Sequence, residues 1–347
     1  MAIKLSSLQE ITKAMLLLVV VSIHGSFIDE GADPVVRPAF NPVIEEQSYV
    51  HGDAVVEPIS FYSQKSKDST DRIVRQGALK TQKGAKATVV ICHGYMCDKN
   101  DTGFLRSVFK DYNVLTFDFR AHGQNTARQY CTFGHDEALD VIGAVDFVKT
   151  RPELAGKPII AYGFSMGAVS AIEAQARHGK LFDAMILDCP FESSDFLLVR
   201  GFEKLQLNLF GLTIPMPGRN ILHKYAYNPY VQSLVKTLLK TVAKLDATEI
   251  RTRIVPVSPV ESVEKVSVPC FFITCKNDEK VPVDSVVAVY SGAKGYKRMW
   301  ITNGRRHFDS FFYNPEKYVY RVNDFIEQFM AGKLKDVSEK IFQDPHI

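Results

Sequence analysis

A mostly parallel, doubly wound α/β sheet with helices on both faces and one insertion is the fold predicted for this chain of 347 residues. Three observations predict it. Compact runs of apolar residues recur along the chain, and they are continuous rather than alternating, as expected of strands buried on both faces. Helix-like segments lie between most of these runs, and strands alternating with helices imply right-handed crossovers and a parallel sheet. A composition of 46% hydrophobic, 11% aromatic and 23% charged residues supplies a substantial core and excludes a disordered or fibrous chain.

The elements follow in order. Residues 1–25 hold Lys4 and Lys13 and the apolar run 15–21, closed by Ser22, Ile23, His24 and Gly25. Two readings stand: a signal peptide cut near Ser22 or Gly25, implying export, or an apolar amino-terminal helix retained on a cytoplasmic or membrane-associated protein. The run is too short to span a bilayer comfortably. Residues 26–54 read as an extended linker, because Pro34, Pro38 and Pro42 oppose regular structure. Residues 55–63 and 71–80, rich in β-branched and aromatic side chains, read as a hairpin across the polar stretch 64–70. Core strands are expected at 87–92 (ATVVIC), 113–119 (NVLTFDF), 158–163 (PIIAYG), 184–189 (AMILDC), 269–275 (PCFFITC) and 297–302 (KRMWIT), with helices at 103–110, 135–149, 166–178 and 315–330. The rhythm breaks between about 191 and 266, which reads as an insertion within a catalytic domain spanning 55–333, and 334–347 reads as a carboxy-terminal tail.

Forty-two Lys and Arg against 39 Asp and Glu leave a formal charge of +3, which is no footprint for a nucleic-acid partner. No HExxH or cysteine–histidine spacing calls for a metal. Six cysteines in a chain this long are not a disulfide framework. Cys92, Cys189 and Cys275 fall on core strands and read as small buried hydrophobes, whereas Cys97 and Cys131 fall in loops, free to pair or not.

Chemistry concentrates at the end of the 158–163 strand. Gly163-Phe164-Ser165-Met166-Gly167 is followed at once by a helix-like segment. A serine on so tight a strand-to-helix turn needs small neighbours, and the turn lifts its hydroxyl above the sheet. The Met166 amide then lies at a helix start, where an unpaired N–H and the helix dipole can stabilise an oxyanion. A free hydroxyl needs a base, and the base an orienting acid. His307 follows the 297–302 strand and Asp278 follows the 269–275 strand, so all three residues stand beyond carboxyl ends of strands, where sites form in such sheets. Read alone, Asp278 is a turn former and His307 a surface histidine among arginines. The order Ser, Asp, His joins them.

With Cys92-His93-Gly94-Tyr95 after the third strand and Phe117-Asp118-Phe119-Arg120-Ala121-His122-Gly123 after the fourth, these motifs resemble the α/β-hydrolase superfamily. The likeness is to lidded esterases and lipases and to serine aminopeptidase-like hydrolases. It implies Ser165 as nucleophile, His307 as general base, Asp278 as its partner, and the backbone amides of Tyr95 and Met166 as the oxyanion hole, with no cofactor. Asp188 is the rival acid; His93, His122 and the turn at 120–123 are read as structural. The implied activity is hydrolysis of a carboxylic ester or thioester, with a small acyl substrate and compatibility with a lipid surface. Alternatives are a peptidase or acyltransferase on the same three residues, and a binding protein that keeps the fold without turnover. The insertion reads as a lid or as a packed side unit. Arg305 and Arg306 beside His307 read as solvated loop charges or as partners for an acidic group.

Overall fold

The computed structural model describes residues 54–123, 126, 129–203, 206–209, 212–215, 225–230, 232, 251–334 and 339–344. The amino-terminal apolar run, the proline-bearing stretch after it and part of the insertion at about 191–266 lie outside the described residues. Among the described residues no helix is long and apolar enough to cross a membrane.

The chain divides into two units, Phe40–Ser193 with Val257–Ile347, and Met1–Ala39 with Ser194–Pro256. In the larger unit, strands β1 (Val55–Gln64) and β2 (Arg72–Thr81) form the expected hairpin. Then come β3 (Thr88–Cys92), a short helix α1 (Leu105–Val108), β4 (Asn113–Phe117), α2 (Glu137–Thr150), β5 (Ile159–Phe164), α3 (Met166–His178) and β6 (Ala184–Asp188). The smaller unit follows in the chain with α4 (Ser194–Glu203) and a hairpin of β7 (Gln206–Leu209) and β8 (Leu212–Pro215). It is tied internally by the Tyr227 hydroxyl, bonded to Ser194 Oγ at 2.8 Å and donating to Asp195 at 2.7 Å. Back in the larger unit lie α5 (Pro259–Ser262), β9 (Cys270–Cys275), α6 (Val283–Gly292), β10 (Lys297–Thr302), α7 (Ser310–Tyr313), α8 (Pro315–Met330) and β11 (Glu339–Gln343).

The nine-stranded sheet runs β1-β2-β4-β3-β5-β6-β9-β10-β11, with β2 antiparallel to both β1 and β4 and every other pair parallel. Every residue of β3, β4, β5, β6 and β9 is buried, which explains why their sequences do not alternate. Odd positions of β3 (Val89, Ile91) join Ile160, Tyr162, Phe271 and Trp300 in a core closed by Tyr318, Val322, Phe325 and Ile326 of α8. That four-residue spacing is one stripe of a helix, capped by Asn314 accepting from the Lys317 amide at 3.0 Å and started by Pro315.

Two expectations change. The stretch 103–110 holds only the four helical residues of α1, because Phe109 leaves the helix with φ −105° and ψ 41°. The carboxy-terminal stretch, expected to be a tail, carries β11, paired in parallel with β10 from Lys297↔Glu339 to Ile301↔Gln343. The indole N–H of Trp300 donates to Asp344 at 3.1 Å, an anchor that a five-residue edge strand with two exposed hydrophobics did not advertise in sequence.

Candidate active site

Ser165 caps the amino end of α3 with φ 52° and ψ −122°, a left-handed backbone that a non-glycine residue adopts under strain of about 1–3 kcal/mol. The glycines around it explain how the strain is held. A Cβ on Gly167 would lie 2.0 Å from the Cys92 carbonyl oxygen and 2.6 Å from that of His93. One on Gly163 would lie 2.7 Å from the Ala168 backbone. Strand, helix and the segment after β3 therefore meet where no side chain fits. The Ser165 amide donates to the Asp188 carbonyl at 2.8 Å, and its carbonyl accepts from Val169 at 3.2 Å. From Ile159 through Gln175 every residue is buried except Ser165. The turn thus shows one hydroxyl to the outside.

The Met166 amide is the first of α3 and has no acceptor within the helix, and the dipole of a 13-residue helix points its positive end there. The loop carrying Tyr95 lies against both sides of the serine turn: Gly167 meets the Cys92 and His93 backbones, and a Cβ on Gly94 would lie 2.6 Å from the Phe164 ring. Tyr95 itself packs its ring on Phe133 and His122, at centroid distances of 4.9 and 5.8 Å. Asp118, buried at the end of β4, holds the loop's far side by accepting from the Lys99 amide at 2.8 Å and its ammonium at 2.9 Å. In sequence Asp118 stood only as a member of the 117–123 motif with no role of its own; its link to the Tyr95 loop is long-range and had no local signal.

Asp278 and His307 are a direct pair, with Nδ1 of the imidazole 2.7 Å from Oδ2. The other oxygen of Asp278 accepts the Lys280 and Val281 amides, each at 2.9 Å. With the carboxylate accepting only, the Nδ1 proton lies between the pair and Nε2 keeps its lone pair. The carboxylate is wholly buried and the imidazole side chain 17% exposed, so the pair has one face to solvent. Phe164, immediately before Ser165, stacks on Phe308, immediately after His307, with centroids 3.9 Å apart and planes 14° from parallel. Consecutive Cα atoms are ~3.8 Å apart, so the stack brings the serine and histidine loops together. Among the described residues no hydrogen bond yet joins Ser165 to His307, as is common before substrate binds.

The rival groups have other employment. Asp188 accepts from the Tyr318 hydroxyl at 2.9 Å and from the Cys189 thiol at 3.1 Å, and burial pushes its carboxyl up to about 6. His93 is bonded to the Gly94 carbonyl at 2.8 Å and accepts from the Phe119 amide at 3.0 Å, and burial, helped by His122, brings its imidazole down to about 3. It is a neutral bridge between two loops. Arg120 is spent on Asp140, with bonds of 3.1 and 2.9 Å, and on carbonyls of the β1 end. No disulfide joins any two of the six cysteines. Cys189, Asp278 and His307 bring a sulfur, an oxygen and a nitrogen within 4.8 Å of one another, a donor set that could hold a borderline cation. Asp278 and His307 already satisfy each other, so the arrangement is first an acid–base pair with a thiol beside it.

Residues 83–308 match the serine aminopeptidase S33 family, well over half of the chain. The chain belongs to that family. The S33-family chain is 28% identical over 243 residues to the uncharacterized protein YqkD of Bacillus subtilis, covering 69% of this chain and 71% of that one. It is similar in fold to the Pyrococcus furiosus esterase Pf2001, with a TM-score of 0.58 at 23% identity over 86% of this chain and 97% of that one. It is similar also to a Pyrococcus horikoshii acylaminoacyl peptidase, with a TM-score of 0.52 at 17% identity over 86% of this chain and 44% of that one. The family and the fold make this an α/β hydrolase.

Proposed function

We propose that the protein is a serine hydrolase of carboxylic esters or thioesters that works through an acyl-enzyme on Ser165. The observation that carries the reading is the combination of a strained, outward serine on the Gly163–Gly167 turn with the buried Asp278–His307 pair. His307 Nε2 takes the hydroxyl proton as Ser165 Oγ attacks the acyl carbon. The tetrahedral oxyanion is met by the amides of Met166 and Tyr95, and His307 returns the proton to the leaving alkoxide or thiolate. Water, deprotonated by the same nitrogen, then releases the acid.

The family's description offers a second reading, in which the substrate is an amide with a free amino group. An α-ammonium calls for a carboxylate to receive it, whereas Asp309, the acid next to His307 in sequence, already accepts from the Arg305 amide at 2.8 Å and shares its surroundings with the cations Arg305 and Arg306. This favours esters. A fluorophosphonate probe should label the native protein and not Ser165→Ala; equal labelling of both would remove Ser165 from the chemistry. Graded p-nitrophenyl esters compared with aminoacyl amides test the substrate class, and faster turnover of the amides would replace the ester reading.

A further inference from the structure

A cavity of about 240 Å³ is lined by Arg305, Arg306, Asp309, Phe312 and Tyr313, residues that flank His307 in sequence. Its walls come from the loop that carries the histidine and from α7, so it begins one residue away from the proposed base. Both arginines are exposed, and among the described residues neither guanidinium has a hydrogen-bond or ion-pair partner. Unpartnered cations are common on surfaces, but here two converge on one concavity whose only acid is otherwise engaged: Asp309 accepts from the Arg305 amide at 2.8 Å. The apolar wall is preorganised. Phe312 is 59% exposed, yet its ring is held by Phe311 at 5.3 Å, Phe104 at 5.4 Å and Phe308 at 6.4 Å. Phe308 is in turn clamped on Phe164, next to Ser165. A flat aromatic face beside two guanidinium forks matches an anionic oxygen group carried on an apolar arm, because guanidinium pairs bidentately with carboxylate and phosphate.

We propose that this cavity receives a carboxylate or phosphate on the substrate, and that the enzyme therefore selects esters bearing a negative charge a few bonds away from the scissile carbonyl. The inference rests on the ester-hydrolase reading above and adds a specificity site to it. Arg305 and Arg306 bind the charge, and Phe312 and Tyr313 flank the arm.

The test compares three substrates of matched length at fixed low ionic strength, since exposed charges are screened by salt. They are the mono-p-nitrophenyl ester of adipic acid, its methyl-capped neutral counterpart, and p-nitrophenyl 4-(phosphonooxy)butanoate. The native enzyme is expected to show a KM about tenfold lower for an anionic ester than for the neutral one, the size of one charge-assisted contact. In Arg305→Gln/Arg306→Gln the ratio of the two KM values should fall toward one, with partial recovery in the double lysine variant. Phe312→Ala should raise KM for the anionic ester more than kcat changes. The carboxylate and phosphate arms tell which oxyanion is preferred. A native ratio near one, or a ratio that survives the double substitution, overturns the proposal while leaving the hydrolase in place. Absence of turnover on all three esters would instead strike the ester reading itself. Stimulation of the neutral ester by free inorganic phosphate, without competition against the anionic ester, would make the cavity an effector site and also overturn the proposal.

Discussion

Replacing Asp278 by asparagine separates the role of a charge from the role of a shape. The two backbone amides of Lys280 and Val281 donate to Oδ1 at 2.9 Å, so an asparagine at this position keeps its carbonyl oxygen toward them and turns its NH₂ toward His307. Two donors then face each other across the former 2.7 Å contact. The imidazole relieves this by moving its proton to Nε2, the nitrogen proposed to accept from Ser165. The lost charge-assisted bond is worth about 1.5–3 kcal/mol, or ~10–150-fold. The wrong tautomer carries the total toward the ~10⁴-fold loss in kcat known for the same change in unrelated triads. Steady-state hydrolysis of a p-nitrophenyl ester measures it, with thermal unfolding as the control for folding. Asp188→Asn is the companion, because its carboxylate serves Tyr318 and Cys189 and not His307. Retention of more than about a tenth of native kcat in Asp278→Asn would refute the assignment of the orienting acid. So would an equal loss in Asp188→Asn.

Gly167→Ala should cut kcat/KM by at least ~100-fold, since the new methyl would sit 2.0 Å from a backbone carbonyl that no rotamer change can move; kinetics beside a melting curve distinguish a displaced oxyanion loop from an unfolded protein. Asp118→Asn should loosen the Tyr95 loop and lower kcat about tenfold with KM nearly unchanged, because one of the bonds that Lys99 makes to it at 2.8 and 2.9 Å loses its charge. For Asp188 the sign runs toward acid: its carboxyl is raised from 3.8 to about 6 in the folded protein, so its contribution is full below pH ~4 and is lost as pH rises through ~6, up to about 3 kcal/mol. Urea unfolding at pH 4.5 and 7.5 should therefore show a smaller pH dependence in Asp188→Asn than in the native chain, and identical dependence would contradict the burial argument.

Much of this was legible in sequence because it depends on local sterics. The serine turn needs glycines at 163 and 167, and buried parallel strands need unbroken apolar runs, so both leave marks within a few residues. The expected bounds at 166–178, 297–302 and 315–330 coincide with α3, β10 and α8. The Asp278–His307 pair was legible from its position after strands, although nothing local to either residue revealed the 2.7 Å contact. Long-range determinants were not legible. The Phe164–Phe308 stack joins residues far apart in the chain, and the Lys99–Asp118 bridge looks in sequence like two ordinary loop charges. Edge strand β11 was missed because its consecutive residues Ile341, Phe342 and Gln343 are all exposed, so no buried face marks the sequence as a strand.

The rival acid shows why the two aspartates divide the work. Asp188 and Ser165 are neighbours across β5 and β6, and the Asp188 carbonyl takes the Ser165 amide at 2.8 Å, so its backbone helps fix the strained turn. Its side chain cannot also reach for the histidine: it is committed to the Tyr318 hydroxyl, which bonds on to Tyr162 at 2.7 Å inside the core closed by α8. Burial with such neutral partners disfavours a charge, which suits a structural carboxyl and would weaken an orienting one. Asp278 has different partners, two backbone amides on one oxygen and an imidazole on the other. Two acids at the ends of adjacent strands are thus told apart by what donates to them, and that difference is set by where each strand's following loop turns.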